Sequence, residues 1–156
     1  MIAVYSPHHL LHNPPKEFIS NEVVAYGESP ARAELIYESL ITNPAVKLVK
    51  PEIFDLAHFR KVHASHYLEY LQSAYERWVA EGLSDEGIMP EFFALGNLRN
   101  QQPPKGPLGQ AGYYMTDSCT MIVRDTWEAV KYSGFTALTG AEYLLDDEPV
   151  VFALCR

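Results

Sequence analysis

The chain has 156 residues, of which 47% are hydrophobic and 21% are charged. This composition predicts one globular domain over residues 1–156 and argues against a disordered chain. The 12 Lys and Arg against 20 Asp and Glu give a formal net charge of -8, so we expect no basic surface for a nucleic-acid partner. A negative field instead favours cationic small molecules.

The N-terminal residues, the apolar stretches and the cysteines indicate the cellular compartment. Residues 1–13 lack a basic region followed by an apolar run, so we expect no signal peptide. No apolar stretch approaches the roughly 20 residues that a membrane helix needs, so we expect no membrane partner and predict a cytoplasmic protein. Cys119 and Cys155 form no CxxC pair, which excludes a cysteine zinc site and leaves a disulfide between them open.

Strands and one helix are predicted in the first third of the chain. Ile2–Tyr5 is an apolar run that predicts a buried strand, and residues 8–27, with prolines at 14 and 15, predict a long loop. Ser29 is expected to cap a helix that has Pro30 at its first position and ends at Asn43. Its predicted apolar stripe is Leu35, Ile36 and Leu40, and Val46–Val49 is a candidate short strand.

Two more helices and a strand are predicted further along. Ser65 is a candidate cap for a helix to about Gly82, with a buried side of Leu68, Leu71, Tyr75, Trp78 and Val79. Four prolines and three glycines make 83–108 a long loop, typical of a functional or disordered segment. Asp125 and Glu128 have capping-box spacing before a helix that buries Trp127, Val130, Leu138, Ala141 and Leu145.

The chain closes on a continuous apolar run, Val150–Cys155, which predicts a strand buried on both faces. Strand, helices and strand in this order favour an α/β fold in which Ile2–Tyr5 and Val150–Cys155 lie in one parallel sheet. Ligands bind beyond the carboxyl ends of strands in such sheets, so chemistry is expected after Arg156.

Most polar residues have an ordinary structural interpretation. A His8 and His12 pair would share a face only in a helix, and the prolines at 7 and 14 favour loop histidines over metal ligands. His63 and His66 flank a helix start and are expected to bond a helix end. Ser118 and Cys119 lack a nucleophile pattern, and residues 109–112 are too short for a nucleotide loop.

Five segments taken together are more informative than any of these single residues. They are YSPHHLLHNPPKEF, SPARAELI, VHASHYLEYLQSAYERW, GQAGYYMTDSCT and the terminal VVFALCR, in that order. Together they resemble the acetylpolyamine amidohydrolase branch of the histone deacetylase superfamily, over essentially the whole chain. The resemblance implies the N-terminal portion of an arginase/deacetylase-like three-layer α/β fold around a parallel sheet.

The resemblance also implies a chemistry. Family members hydrolyse acetyl amides with a zinc ion, catalytic histidines and a tyrosine. The family's histidine segment follows FALCR, and its zinc ligands come later, so no catalytic or metal residue is expected in this chain and no zinc is expected to bind it alone. Acetylated amines are then substrates only in a full-length context.

Individual positions carry over from the family. Arg32 matches an arginine at the floor of the active-site region, which implies a buried side chain in a polar network. Residues 83–123 match a long loop that reaches a dimer partner and shapes its substrate channel, which implies a homo-oligomer. Tyr113 and Tyr114 belong to that loop.

The same loop departs from the family at two positions. Leu108 and Cys119 stand where some polyamine enzymes place acidic residues, while Asp117 and Glu91 remain as nearby sources of negative charge. The departure argues against polyamine specificity.

The sequence therefore predicts a fragment of a zinc-dependent deacetylase that is inactive alone. The alternatives are a stand-alone interaction or oligomerisation module derived from that family and, with less support, a small-molecule binding domain that uses the loop-rich face.

Overall fold

A computed structural model describes residues 1–95 and 102–156. The chain forms two compact units, the first from residues 1–12, 28–62 and 125–156 and the second from residues 13–27 and 63–124. The single domain over 1–156 stays a prediction. Residues 96–101, part of the predicted long loop, lie outside the described residues.

The elements follow one another as strands and helices of mixed length. They are β1 (Ile2–Tyr5), a 3-10 helix (Pro7–Leu11), β2 (Glu17–Ile19), β3 (Glu22–Val24), α1 (Ala31–Ile41), β4 (Lys47–Val49), α2 (Ala57–Arg60), α3 (Ser65–Ala80), α4 (Pro107–Tyr114), α5 (Thr126–Leu145) and β5 (Val151–Leu154).

A three-stranded parallel sheet forms the centre of the first unit. Its order is β4-β1-β5, with Ile2 opposite Val151 and Tyr5 opposite Leu154. Ala3 and Val4 are 0% exposed, as expected for a central strand with both faces covered. The predicted α/β fold, the parallel pairing of the two end strands and the short strand before Pro51 are confirmed, whereas the expected burial of β5 on both faces is wrong.

Helix α5 packs on the sheet through small residues. A Cβ added to Gly140 would lie 3.3 Å from the Cβ of Ala153, so the backbones approach closely. The buried residues of the helix are Thr126, Ala129, Phe135, Thr136, Thr139 and Gly140. The predicted buried face is therefore wrong: none of its five residues is buried, and Leu145 is 83% exposed. Small side chains face the sheet because they allow this close contact.

The face of α1 also differs from the prediction. Ala33 is its buried residue, whereas Leu35 is 65% and Ile36 42% exposed. The helix turns Glu34 and Tyr37 towards Tyr5 of β1, which leaves the leucine–isoleucine side uncovered by the described residues.

The predicted caps of α1 and α3 are wrong as well, whereas that of α5 is right in position but lacks its side-chain bond. Pro30 stands at the N-cap of α1 without a side-chain bond, and Ser29 contributes its carbonyl to the Arg32 N–H rather than its hydroxyl. Asp125 is the N-cap of α5 but makes no side-chain cap bond, and Glu128 pairs with Lys131 instead of returning to the Asp125 N–H. Ala64 rather than Ser65 is the N-cap of α3.

The second unit contains a short hairpin. β2 and β3 pair antiparallel around Ser20 and Asn21, whose φ angles are 52° and 66°. Two consecutive left-handed residues are typical of a tight hairpin turn. The prediction of a long loop over residues 8–27 is therefore wrong at this hairpin and at the 3-10 helix.

The core of the second unit lies between α3 and α4. Its buried residues are Tyr70, Ala74, Trp78, Ile88, Ala111, Met115 and Ile122. The predicted buried side of α3 is right at Leu68, Tyr75 and Trp78 and wrong at Val79, which is 36% exposed. The backbones of Ile88 and Ile122 pair, which ties together two distant parts of the loop-rich region.

No helix in residues 1–95 or 102–156 is both long and apolar enough to span a bilayer.

Candidate functional site

The carboxyl end of β1 carries a polar network in the first unit. The Tyr5 hydroxyl donates to Glu34 Oε1 at 2.7 Å, and His9 Nε2 lies 2.7 Å from the same oxygen. Tyr5 comes from the strand, His9 from the 3-10 helix that follows it and Glu34 from α1. The Tyr5 ring also stacks on Tyr37, with centroids 4.2 Å apart. One carboxylate oxygen therefore holds three elements together.

His9 is the buried member of this network, with 6% of its surface exposed. If Nε2 carries the proton that bonds Glu34, Nδ1 is a lone-pair acceptor. That Nδ1 is buried and has no hydrogen-bond partner among the described residues. The pair therefore has the form of an oriented imidazole, which is the arrangement that proton transfer or ligand binding requires.

Charge and burial change the acidities in this network. Hydrogen bonding from Tyr5, supported by His9, lowers the pKa of the Glu34 carboxyl. Burial, followed by the bond to Glu34, raises the pKa of the Tyr5 hydroxyl. The pair is therefore held as a carboxylate and a neutral phenol, which fits the donor and acceptor roles of the short contact.

Arg156, which follows β5, is hydrogen-bonded to the segment that follows β1. Its guanidinium donates to the carbonyls of His9, His12 and Glu28. His12 Nδ1 lies 2.9 Å from the Thr126 hydroxyl. Burial, with the positive charge of Arg156, lowers the pKa of His12 from 6.5 to about 4. His12 is therefore a neutral, structural histidine.

Arg32 lies on the surface. Its side chain is 62% exposed and forms an ion pair with Glu28, four residues earlier. The expected burial of Arg32 is wrong for the described residues, because its side chain points to solvent while Ala33 and Glu34 of the same turn face inwards. Its place in an active-site floor stays a prediction.

Aromatic rings gather on α3 and α4 in the second unit. Tyr114 stacks on Tyr70 with centroids 4.4 Å apart, and its hydroxyl lies 3.0 Å from His66 Nδ1. Tyr113 meets Tyr114 edge to face at 4.9 Å. Tyr114 therefore packs α4 against α3, and His66 bonds a side chain rather than the expected helix end. Leu108, on the first turn of α4, is 41% exposed.

One hydroxyl in this cluster has no partner. Tyr70 is 4% exposed, and its hydroxyl is buried without a hydrogen bond among the described residues. Burial raises the pKa values of Tyr70 and Tyr114. Both are therefore neutral phenols, and their rings offer π-faces rather than charge.

The start of α4 is held by α3. Arg77 donates to the side-chain oxygen of Gln110 and to the carbonyl of Lys105, both at 2.6 Å. Pro107 occupies the first turn, where its missing N–H costs nothing. The helix is therefore anchored at its N-terminal end as well as through Tyr114.

Asp117 and Cys119 lie in the turn after α4. Asp117 Oδ1 accepts from the backbone N–H groups of Cys119 and Thr120, each at 2.8 Å. The Ser118 hydroxyl and the Cys119 thiol both point to the Phe18 carbonyl of β2, at 3.4 and 3.5 Å. Asp117 therefore shapes the turn through its Oδ1.

The described residues do not fit a metal ion. No group of three His, Cys, Asp or Glu side chains in residues 1–95 and 102–156 could hold one. His8 stacks on Tyr132 and bonds Ser6, while His12 bonds Thr126. Zinc chemistry therefore has no ligand set in this part of the chain.

The predicted site residues of the second unit lie on α4 and in the turn after it: Leu108, Tyr113, Tyr114, Asp117 and Cys119. Arg32 belongs to the first unit, and the role of these residues in a substrate channel or dimer stays a prediction. The sequence analysis missed the contact of His9 with Glu34. Both residues lie inside recognised segments, YSPHHLLHN and SPARAELI, but no local spacing joins residues that are 25 positions apart.

No protein-family model matches the sequence. Curated relatives do match: an acetylpolyamine amidohydrolase of Mycoplana ramosa is 34% identical, and acetylpolyamine amidohydrolase 1 of Pseudomonas aeruginosa is 31% identical. Each match covers 100% of this chain and 45% of the relative, so the chain spans less than half the length of the relatives it matches.

A solved structure agrees with the relatives. The crystal structure of an acetylpolyamine aminohydrolase from Burkholderia pseudomallei superposes with a TM-score of 0.89 at 26% identity, over 100% of this chain and 44% of that one. This match confirms the predicted fold class. In both sequence and fold, the whole chain therefore corresponds to the N-terminal part of the acetylpolyamine amidohydrolases.

Proposed function

We propose that this chain is the N-terminal portion of a zinc-dependent amidohydrolase that removes acetyl groups from amines of the acetylpolyamine or acetyl-lysine type. The observation that carries the proposal is the match of the whole chain to 45% of each of two proteins named acetylpolyamine amidohydrolase, together with a TM-score of 0.89 to a solved acetylpolyamine aminohydrolase. The net charge of -8 is compatible with a cationic substrate.

The chain alone is proposed to be inactive. A zinc hydrolase needs three protein ligands and an open position for water, and the described residues contain no such set. The role left to this portion is structural: β1 and β5 bring their carboxyl ends side by side, and Arg156 fixes the end of β5 to the loop after β1. Residues that follow β5 would start from a defined place.

The experiment compares the chain with a chimera. The chimera joins this chain to the C-terminal portion of the Mycoplana ramosa relative, beyond the match. Acetylputrescine and acetyl-lysine peptides are supplied with zinc, and the full relative is the positive control. We expect chelator-sensitive turnover by the chimera and none by the chain. Turnover by the chain alone, abolished by a chelator, contradicts the proposed inactivity, and a folded but inert chimera contradicts the proposed activity.

A non-catalytic interaction module is the second candidate. The exposed Leu35 and Ile36 side of α1 favours it, because a surface of this kind usually marks an interaction site. Under this alternative the chimera would be folded and inert, while the chain would bind a partner by itself.

Self-association is proposed as a further property of the chain. The segment around Tyr113 and Tyr114 matches the family's dimer loop, and Leu108 beside it is 41% exposed. Light scattering over a concentration series tests it. A mass that stays monomeric at high micromolar concentration contradicts a homo-oligomer.

A further inference from the structure

Tyr114, the last residue of α4, has an imidazole as its hydrogen-bond partner. Its hydroxyl lies 3.0 Å from Nδ1 of His66, an exposed residue in the first turn of α3. Burial, followed by the influence of Tyr113 and the negative charge of Glu69, raises the pKa of the Tyr114 hydroxyl. The phenol therefore keeps its proton at neutral pH and donates the hydrogen bond to Nδ1, which is the acceptor when Nε2 carries the ring hydrogen.

The base that accepts this hydrogen bond decides how easily the phenol can be oxidised. A phenol that has lost an electron is a strong acid, so its hydroxyl proton leaves together with the electron at neutral pH. An acceptor that holds the proton more tightly makes this joint loss easier. The ordinary pKa of an imidazole is about 6.5, whereas that of a glutamate carboxyl is about 4.3, so a histidine is the better partner for oxidation.

Two other tyrosine hydroxyls donate to weaker bases. Tyr5 donates to Glu34, and hydrogen bonding from Tyr5, supported by His9, lowers the pKa of that carboxyl. His9 Nε2 lies 3.3 Å from the Tyr5 hydroxyl but faces the Glu34 carboxylate at 2.7 Å, so this nitrogen carries a hydrogen of its own. Tyr75 donates to the backbone carbonyl of Asp85, and a carbonyl takes up no proton at neutral pH. Neither tyrosine therefore has a base that matches an imidazole.

The rings stacked around Tyr114 provide a second contrast. Tyr70 stacks on it with centroids 4.4 Å apart, and the Tyr70 hydroxyl is buried without a partner among the described residues. Tyr67 and Tyr113 also contact the Tyr114 ring, at 5.9 and 4.9 Å between centroids. Without an acceptor, the Tyr70 phenol cannot release its proton, so an electron missing from that ring would be replaced from the stacked ring of Tyr114. Oxidation within this cluster therefore ends on Tyr114.

We propose that Tyr114 is the preferred site of one-electron oxidation in this chain, with His66 as its proton acceptor. The oxidant takes one electron from the phenol, the O–H bond breaks and the proton moves to His66 Nδ1, which leaves a neutral phenoxyl radical beside an imidazolium. Nitrogen dioxide then couples with the radical at the ring carbon next to the C–O bond. A C–N bond forms there, and the ring hydrogen leaves as a proton to water. The product is 3-nitrotyrosine, which makes the pair an oxidative modification site. The inference is independent of the proposed function.

Peroxynitrite in bicarbonate buffer is the probe, because it supplies the carbonate radical as the oxidant and nitrogen dioxide as the trap. Fragmentation mass spectrometry gives the nitrated fraction of each of the ten tyrosines. Tyr143, a partly exposed residue of the first unit, is the internal reference. At a low dose and about pH 8 we expect Tyr114 to be nitrated most. The ratio of Tyr114 to Tyr143 nitration should fall towards about pH 5, because an imidazolium cannot accept the proton.

His66→Asn separates the base from the hydrogen bond. Asn keeps a side-chain oxygen that can accept from the phenol but does not take up a proton, so the preference for Tyr114 and its pH dependence should both be lost. His63→Asn is the matched control, because His63 is exposed and its ring lies 6.0 Å from that of Tyr67 between centroids. This control variant should be nitrated as the wild type is. Circular dichroism at both pH values checks that the variants fold.

Two results would overturn the inference. One is a wild type in which Tyr114 is nitrated no more than Tyr143 at about pH 8. The other is a preference for Tyr114 that persists in a folded His66→Asn variant or at about pH 5, which would show that stacking rather than proton transfer selects this residue. If His66→Asn does not fold, the pH profile of the wild type decides.

Discussion

Replacing His12 with Asn should flatten the pH dependence of stability between about pH 4 and 6.5. The His12 ring bonds the hydroxyl of Thr126, which is 4% exposed, and its pKa falls from 6.5 to about 4 through burial and the charge of Arg156. Asn keeps a hydrogen-bonding group near Thr126 but does not titrate. The substitution therefore removes the proton linkage while preserving the contact.

The sign follows from where the proton binds. Because the folded pKa is the lower one, the unfolded chain takes up the proton first as the pH falls below 6.5. Stability is full above that value and is lost progressively down to about pH 4. At about 1.4 kcal/mol per pKa unit, the whole effect is roughly 3 kcal/mol, and at pH 5 the loss is about 2 kcal/mol.

Urea unfolding followed by circular dichroism at several pH values measures the effect. The wild type should lose roughly 2 kcal/mol more than His12→Asn between pH 7 and pH 5. His63→Asn, at an exposed histidine of the other unit, is the control and should follow the wild type. Equal slopes for the wild type and His12→Asn would refute the reasoning, since the imidazole would then be solvated.

Three other substitutions test the packing. Glu34→Ala should cost about 1–3 kcal/mol in urea unfolding because His9 loses its acceptor, whereas Glu34→Gln keeps an oxygen and should cost less; equal losses would contradict the network. Gly112→Ala places a Cβ 2.5 Å from the Phe92 carbonyl oxygen and should lower stability by about 1–3 kcal/mol, so an unchanged melting temperature would contradict the close approach. Tyr70→Phe removes an unpartnered hydroxyl and should change stability by less than about 1 kcal/mol, and a larger loss would show that the hydroxyl is bonded.

The strands of the sheet could be predicted because each is encoded by a short run of neighbouring residues. Ile2–Tyr5 and Val151–Leu154 are apolar runs bounded by turn residues, and burial selects such runs for strands. The helices between them then favour parallel pairing. The edge position of β5 could not be predicted, because an apolar run does not tell how many neighbours it has.

The helix faces could not be predicted for a different reason. Apolar periodicity assumes that the largest side chains are buried, whereas α5 buries Ala129 and Gly140 and exposes Leu145. Close approach of two backbones selects small residues, and apolar periodicity does not take that distance between backbones into account. The hairpin at Ser20 and Asn21 was missed because its strands are three residues long and partly polar.

The site was predicted only where neighbours in sequence are neighbours in space. Tyr113 and Tyr114 share one helix turn, and Asp117 caps residues two and three positions later. The contact between His9 and Glu34 depends on where α1 crosses the end of β1, which is a property of packing.

The position of β1 in the sheet has a consequence for synthesis. This strand lies between β4 and β5, and its partners are Lys47–Val49 and Val151–Leu154. At about 5–20 residues per second, one edge of β1 waits for β5 for roughly seven to thirty seconds after β1 itself is made. Pairing over such a separation in sequence is slow. A nascent chain therefore carries an apolar strand with one unpaired edge until Leu154 emerges, so a holdase that recognises extended apolar segments should bind it up to that point.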